Sequence, residues 1–184
     1  TLDRKRNEIA EPDRKDPIRR LSILYSHPAW LVRRWVSRFG PERAEMVLRE
    51  NNRPAPLTIR TNTLKASREE LKADLESDGA AVQDVYYSPA GIEILSSPGI
   101  SLLTAYQSGL FFVQDEAAQL ISMMLGPQPG DAVLDACAAP GGKATHLAEL
   151  MKNQGTLTAL ESDRRRIEGI RENSDRLGIT VITP

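Results

Sequence analysis

The chain has 184 residues, enough for one large domain or two small ones, since domains commonly run to about 100–150 residues. Hydrophobic residues make up 40% and charged residues 27%, which excludes a disordered chain, and no apolar run approaches the roughly 20 residues that span a bilayer. The net charge of -1 hides a division: residues 1–53 hold 13 Lys/Arg and 8 Asp/Glu, the remainder 11 and 17. A basic flank beside an acidic body suits phosphate binding at one edge, and solvated helix faces of mixed sign explain the same count. One cysteine leaves no internal disulfide, and the polar start Thr1–Arg6 is no secretory signal, so the cytoplasm is the expected compartment.

The first fifteen residues lack hydrophobic period and read as a tail or linker. Asp16-Pro17 predicts a capped helix with proline in its first turn, and His27-Pro28 repeats the arrangement before Trp30, Leu31, Val32 and Trp35. Gly40-Pro41 ends that helix and opens one carrying Met46, Val47 and Leu48. Trp30 and Trp35 read as packing residues, and Arg33, Arg34 and Arg38 as helix charge that could also meet phosphate.

Leu57–Thr61 alternates as a half-buried strand does. Ser67-Arg68-Glu69-Glu70 is a capping box, Leu71 and Leu75 share the face of the helix it starts, and Gly79 stops it. Val82–Tyr87 and Gly91–Leu95 read as strands around the turn Ser88-Pro89-Ala90, with Ile92 and Ile94 on one face. A short helix near Leu102–Tyr106 precedes a strand at Leu110–Val113. Strand, helix, strand, strand, helix, strand is the ferredoxin-like order.

Asp115 can cap a helix bearing Ala118, Leu120, Ile121 and Leu125, and Gly126–Gly130 forces a turn. Strands at Ala132–Leu134, Thr156–Leu160 and Ile179–Ile182 then alternate with helices at Gly142–Met151 and Arg164–Leu177, the spacing of a parallel, doubly wound sheet.

Where the first of these strands meets its helix, the chain reads Asp135-Ala136-Cys137-Ala138-Ala139-Pro140-Gly141-Gly142-Lys143. Small residues there let a ligand lie against backbone whose N–H groups point outward at a helix start. Glu161 ends the second strand, where an acid can accept hydrogen bonds from both hydroxyls of a ribose. A P-loop is excluded by Cys137 in place of its first glycine and Ala144 in place of the magnesium-binding hydroxyl. The dinucleotide fingerprint fails as well, because Cys137 and Ala139 replace its first two glycines. Small residues at 137, 139 and 141 follow the spacing of a methyltransferase cofactor turn, and a turn without a ligand is the plainer alternative.

These residues, with Thr145-His146 after them, resemble the cofactor motif of RNA 5-methylcytosine methyltransferases, including the bacterial Fmu/Sun type that modifies 16S ribosomal RNA. Val113–Ala118, Arg176-Leu177-Gly178, Leu57–Asn62 and Tyr25–Trp30 are similar to further segments of that family, so the resemblance runs over residues 20 to 184. It implies an α/β fold of a charged linker and N-terminal short helices (1–53), a ferredoxin-like, RRM-like RNA-associated domain (54–114), and the first half of a Rossmann-like doubly wound methyltransferase sheet, the N-terminal part of an S-adenosylmethionine-binding domain (115–184). It implies that Cys137, Ala138, Ala139, Pro140, Gly141, Gly142 and Lys143 surround S-adenosylmethionine and that Glu161 holds its ribose. Arg166 could pack near the adenosine, and a solvated helix arginine is the plainer reading. The implied substrate is RNA of the small ribosomal subunit, with no membrane, no metal and a monomeric full-length enzyme.

In the resembling family a cysteine thiolate attacks C6 of the cytosine, and that cysteine and a second one near a D-A-P-C motif come from later strands. The catalytic cysteine is therefore expected beyond residue 184, and the chain alone is expected to transfer no methyl group. Cys137 stands in a glycine position under the cofactor, which argues against its being the nucleophile. Neither His27 nor His146 has the company a zinc site needs. The alternative is a non-catalytic module that binds S-adenosylmethionine or RNA.

Overall fold

The computed structural model describes residues 16–184; the charged start, residues 1–15, expected as a tail or linker, lies outside the described residues. The chain divides between Ala55 and Pro56 into two compact units. In the first, Asp16 caps α1 (Pro17–Leu24) by accepting the Arg19 N–H at 3.0 Å. Helix α2 (Ala29–Phe39) follows Pro28, and α3 (Pro41–Asn51) opens on Pro41 after Gly40. Leu21, Val32 and Leu48 form their shared core, with Tyr25 and Trp35 packed against it. Trp30 departs from its expected packing role: it is 63% exposed, with the Arg34 guanidinium 5.8 Å from its ring centroid.

The second unit begins with β1 (Leu57–Thr61), α4 (Arg68–Ser77), β2 (Ala81–Asp84), β3 (Gly91–Ser96), a 3-10 turn at Ile100–Leu102, α5 (Thr104–Gln107) and β4 (Phe111–Val113). The strands pair antiparallel in the order β2-β3-β1-β4, with Ile59 opposite Ile92 and Val113, so this part is ferredoxin-like. Ser67 and Glu70 make the reciprocal capping box that starts α4. Leu71 and Leu75 of that helix pack with Ile59, Ile92, Ile94, Leu103 and Phe111.

The β1 strand is not half-buried: Thr58, Ile59, Arg60 and Thr61 are all buried, because the sheet is covered on both faces. Phe111 points into the core with α4, and its neighbour Phe112 into a second core with Ala144, Leu147, Ala148, Met151, Leu157, Ile170 and Leu177. Strand β2 ends at Asp84, short of the expected Tyr87. The backbone N–H groups of Tyr87 and Ser88 are bound by the Glu116 carboxylate, not by a neighbouring strand.

Asp115 caps α6 (Glu116–Leu125) through the Ala117 N–H. This helix buries Gln119 and Ser122 and leaves Ile121, Met124 and Leu125 in water, the reverse of its apolar pattern. Gln119 is drawn inward by its hydrogen bonds: its amide donates to the carbonyls of Ile59 and Gln114, and its oxygen accepts the Ser88 hydroxyl.

The parallel sheet follows as β5 (Ala132–Asp135), α7 (Gly142–Leu150), β6 (Thr156–Ala159), α8 (Arg164–Leu177) and β7 (Ile182–Thr183), paired in the order β5-β6-β7. It is the first part of a doubly wound parallel sheet, as the alternation of strands and helices in the sequence predicts. Strand β7 starts later than the expected Ile179, since the Ile179 N–H is spent on the Ser174 carbonyl and the Thr180 N–H on the Asn153 side chain. Among the described residues no helix is long and apolar enough to cross a membrane.

Candidate cofactor site

The turn from Asp135 to Lys143 joins β5 to α7. Asp135 Oδ1 accepts the Cys137 N–H at 3.1 Å, closing a local turn that lifts the chain off the strand. Its Oδ2 is buried and without a partner. The Ala138 N–H donates to the Leu160 carbonyl at 3.0 Å, which ties the turn to the end of β6. Gly141 precedes α7 with φ of 102°, a conformation open at little cost only to glycine. No side chain caps α7, whose first N–H groups are therefore available at the positive end of the helix dipole.

Three carbonyls of the turn are held from behind by side chains of other elements. Arg166 on α8 donates to the Ala139 oxygen at 3.1 Å, and Asn173 of the same helix to the Pro140 oxygen at 3.0 Å. Arg60 of β1 donates to the Gly142 oxygen at 2.8 Å. With acceptors pinned on one side, the donors and small side chains are left on the other. Cys137 and Lys143 are exposed, and Ala138 and Gly141 are buried. A cavity of about 210 Å³ opens beside the turn, lined by Phe112, Gln114, Ala118, Cys137 and Lys143 among others.

Glu161 lies next to this turn, as the sequence spacing predicts, and its carboxylate is already engaged. Oε1 accepts the Asp163 N–H at 3.1 Å and the Ser162 hydroxyl at 3.2 Å, while Oε2 pairs with Arg166 at 3.1 Å. The Asp163 N–H first, and then the Arg166 charge, hold the carboxyl below the usual carboxylate range. Oε1 is filled by these two donors, while Oε2 keeps a lone pair for a hydroxyl donor. Arg166 is thus more than the solvated helix arginine that its sequence suggests. Its place five residues after Glu161, in the first turn of a helix capped by Asp163, is the signal that could have found it.

The donor set fits a nucleoside-bearing cofactor: an uncapped helix start for an anionic group, an unpartnered buried acceptor, and a carboxylate at the end of the next strand. Among the described residues no three His, Cys, Asp or Glu side chains gather into a metal-ligating group.

Residues 27–101 match the RsmF/B-like methyltransferase ferredoxin-like domain, and residues 122–183 match the family described as 16S rRNA methyltransferase RsmB/F. The chain is 40% identical over 168 residues to the Probable ribosomal RNA small subunit methyltransferase B of Bacillus subtilis (strain 168), covering 91% of this chain and 37% of that protein. It is 34% identical to the human 28S rRNA (cytosine(4447)-C(5))-methyltransferase, covering 96% of this chain and 22% of that one. The crystal structure of PH0851 superposes with a TM-score of 0.85 at 36% identity, over 95% of this chain and 40% of that one. The chain thus spans well under half the length of each of these relatives.

Proposed function

The chain belongs to the RsmB/F methyltransferase family, carrying its ferredoxin-like and methyltransferase segments, and on that premise we propose that residues 137–143 and Glu161 hold S-adenosylmethionine in an enzyme that methylates C5 of a cytosine in small-subunit ribosomal RNA. The observation that carries this reading is the turn itself, with its uncapped helix start, its unpartnered Asp135 oxygen and the Glu161 carboxylate one arginine away. When bound, the cofactor supplies a methyl group on a sulfonium, ready for a carbon nucleophile.

The residues of this chain bind and orient. Small side chains at Ala138, Ala139, Gly141 and Gly142 allow close approach to the backbone, the start of α7 favours an anionic group, and Glu161 accepts hydroxyl hydrogens. C5 of cytosine becomes nucleophilic when a thiolate adds to C6; loss of the C5 proton after methylation then expels the thiolate. Resemblance assigns that thiol to segments other than Cys137, which lines the cofactor turn. With ribosomal RNA as substrate, the compartment we propose is the cytoplasm.

Titration calorimetry with S-adenosylmethionine and S-adenosylhomocysteine tests the reading. Glu161→Ala is expected to weaken binding by about 1–3 kcal/mol, the range for hydrogen bonds to a charged acceptor. Equal affinity in wild type and variant removes Glu161 from the site, and a wild-type chain that binds neither ligand removes the cofactor reading altogether.

A further inference from the structure

Arg60 is fully buried on the ferredoxin-like sheet, and each of its five N–H donors has an acceptor. Nε donates to Glu149 Oε2 at 3.0 Å; Nη2 donates to Glu149 Oε1 at 2.7 Å and to Thr145 Oγ1 at 3.0 Å. Nη1 donates to the Gly142 carbonyl at 2.8 Å and to Gln114 Oε1. Four of these five contacts reach α7, at residues 142, 145 and 149, a spacing that keeps all three on one helix face.

A buried ion pair is weak ground for a stabilising role. Replacing a buried ion pair by apolar side chains of similar volume is often neutral or favourable, because desolvation offsets the Coulomb attraction. A guanidinium does fix geometry: it is planar, and its fork admits one arrangement of acceptors. Contacts at three heights along α7 set both the axial position and the rotation of the helix, and the first of them lies in the cofactor turn.

We propose that Arg60 is a positioning residue for that turn, through which the ferredoxin-like sheet holds the start of α7 where the cofactor meets it. The proposal rests on the reading of residues 137–143 as an S-adenosylmethionine site. A second contact between the same parts of the molecule supplies the control. Arg176, near the far end of α8, donates to the carbonyls of Tyr106 and Phe111, both at 3.0 Å, and its one link toward the turn is a 3.5 Å contact with the Asn173 side-chain oxygen.

The experiment measures S-adenosylhomocysteine affinity by calorimetry, and urea unfolding in parallel, for wild type, Arg60→Lys, Thr145→Val and Arg176→Met. Arg60→Lys keeps the charge and loses the fork, and Thr145→Val removes one acceptor while sparing the Glu149 pair should the lysine variant not fold. The expected result is at least tenfold weaker binding for Arg60→Lys, a smaller loss for Thr145→Val, and less than twofold change for Arg176→Met despite its lowered stability. Amide exchange at Gly141–Ala144 should quicken in the Arg60 and Thr145 variants and not in Arg176→Met. Affinity that follows stability across all three variants, or folded Arg60 and Thr145 variants that bind as wild type does, overturns the positioning role. Absence of binding by the wild type overturns the cofactor reading and the proposal with it.

Discussion

The backbone of Gly109 passes so close to the carbonyl of Arg176 that a β-carbon on Gly109 would lie 1.9 Å from that oxygen. The approach lets Asn62 bridge the Gly109 and Leu177 carbonyls at 2.9 and 2.8 Å, and lets Lys65 bridge those of Ser108 and Arg176, both at 2.9 Å. Gly109→Ala must therefore separate the end of α8 from the loop before β4, in addition to straining a φ of 68°. The expected loss is more than about 3 kcal/mol in urea unfolding, against about 1–2 for Gly79→Ala, which bears only the left-handed strain. Gly79 has a φ of 84° and no atom within 4 Å of its added β-carbon. Equal losses at the two sites would show that the approach at Gly109 can relax.

Glu149 faces Arg60 with side-chain exposures of 1% and 0%. Burial pushes its carboxyl up, against the pull of the Arg60 charge. Glu149→Leu strands the guanidinium and is expected to cost about 3–5 kcal/mol. Adding Arg60→Met to that variant should recover part of the loss, since no buried charge then lacks a partner. A double variant less stable than Glu149→Leu alone would mean that the Gln114, Gly142 and Thr145 contacts outweigh the pair.

His146 is 3% exposed with Nδ1 unpartnered, and burial first, then the charge of Arg60, lower its pKa from 6.5 to about 3. The folded chain keeps this ring neutral, whereas the unfolded chain protonates it below 6.5. Its contribution is thus whole above 6.5 and is lost as pH falls toward 3, at about 1.4 kcal/mol per pH unit. His146→Leu should flatten the stability profile between pH 6.5 and 5, while the opposite-signed contribution of the raised Glu149 carboxyl is common to both chains. A profile of unchanged slope would mean that the ring finds a proton-sharing partner in the folded state.

The two tryptophans of α2 should respond differently to truncation. Trp35 packs against Leu21, Val32 and Leu48, and Trp35→Ala is expected to cost about 2–3 kcal/mol, somewhat less than a fully buried aromatic. Trp30→Ala, with most of its ring in water, should stay within about 0.5 kcal/mol of wild type. A large loss for Trp30 would restore the packing role that its sequence position suggests.

Features governed by near neighbours along the chain are legible in the sequence itself. The capping box at Ser67, the prolines opening α1 and α3, the paired Leu71 and Leu75, and the span of α8 all depend on residues within one or two helical turns. The Asp135–Lys143 turn and Glu161 can be placed together because strand-to-helix spacing in a parallel sheet brings them there. Arg60 cannot. Alternation in Leu57–Thr61 sends it to solvent, and its principal partner stands 89 residues away. Gln119 and Glu116 escape for the same reason: Gln119 reaches the Ile59 carbonyl and Glu116 the N–H groups of Tyr87 and Ser88, far back along the chain, which turns α6 and cuts β2 short. Arg166 and Asn173 brace the turn from a helix whose surface pattern looks merely solvated.

The acceptors of Arg60 lie between 54 and 89 positions downstream of it. Segments that look separable on a linear diagram therefore share one five-way joint, and modular exchange has to respect it. A chimera joining this ferredoxin-like segment to the downstream segment of a relative would take Arg60 and Gln114 from one parent and depend on the other for the acceptors at 142, 145 and 149. For anyone recombining such chains, the transplantable unit is Arg60 together with Gln114, Gly142, Thr145 and Glu149, wherever the crossover point is drawn.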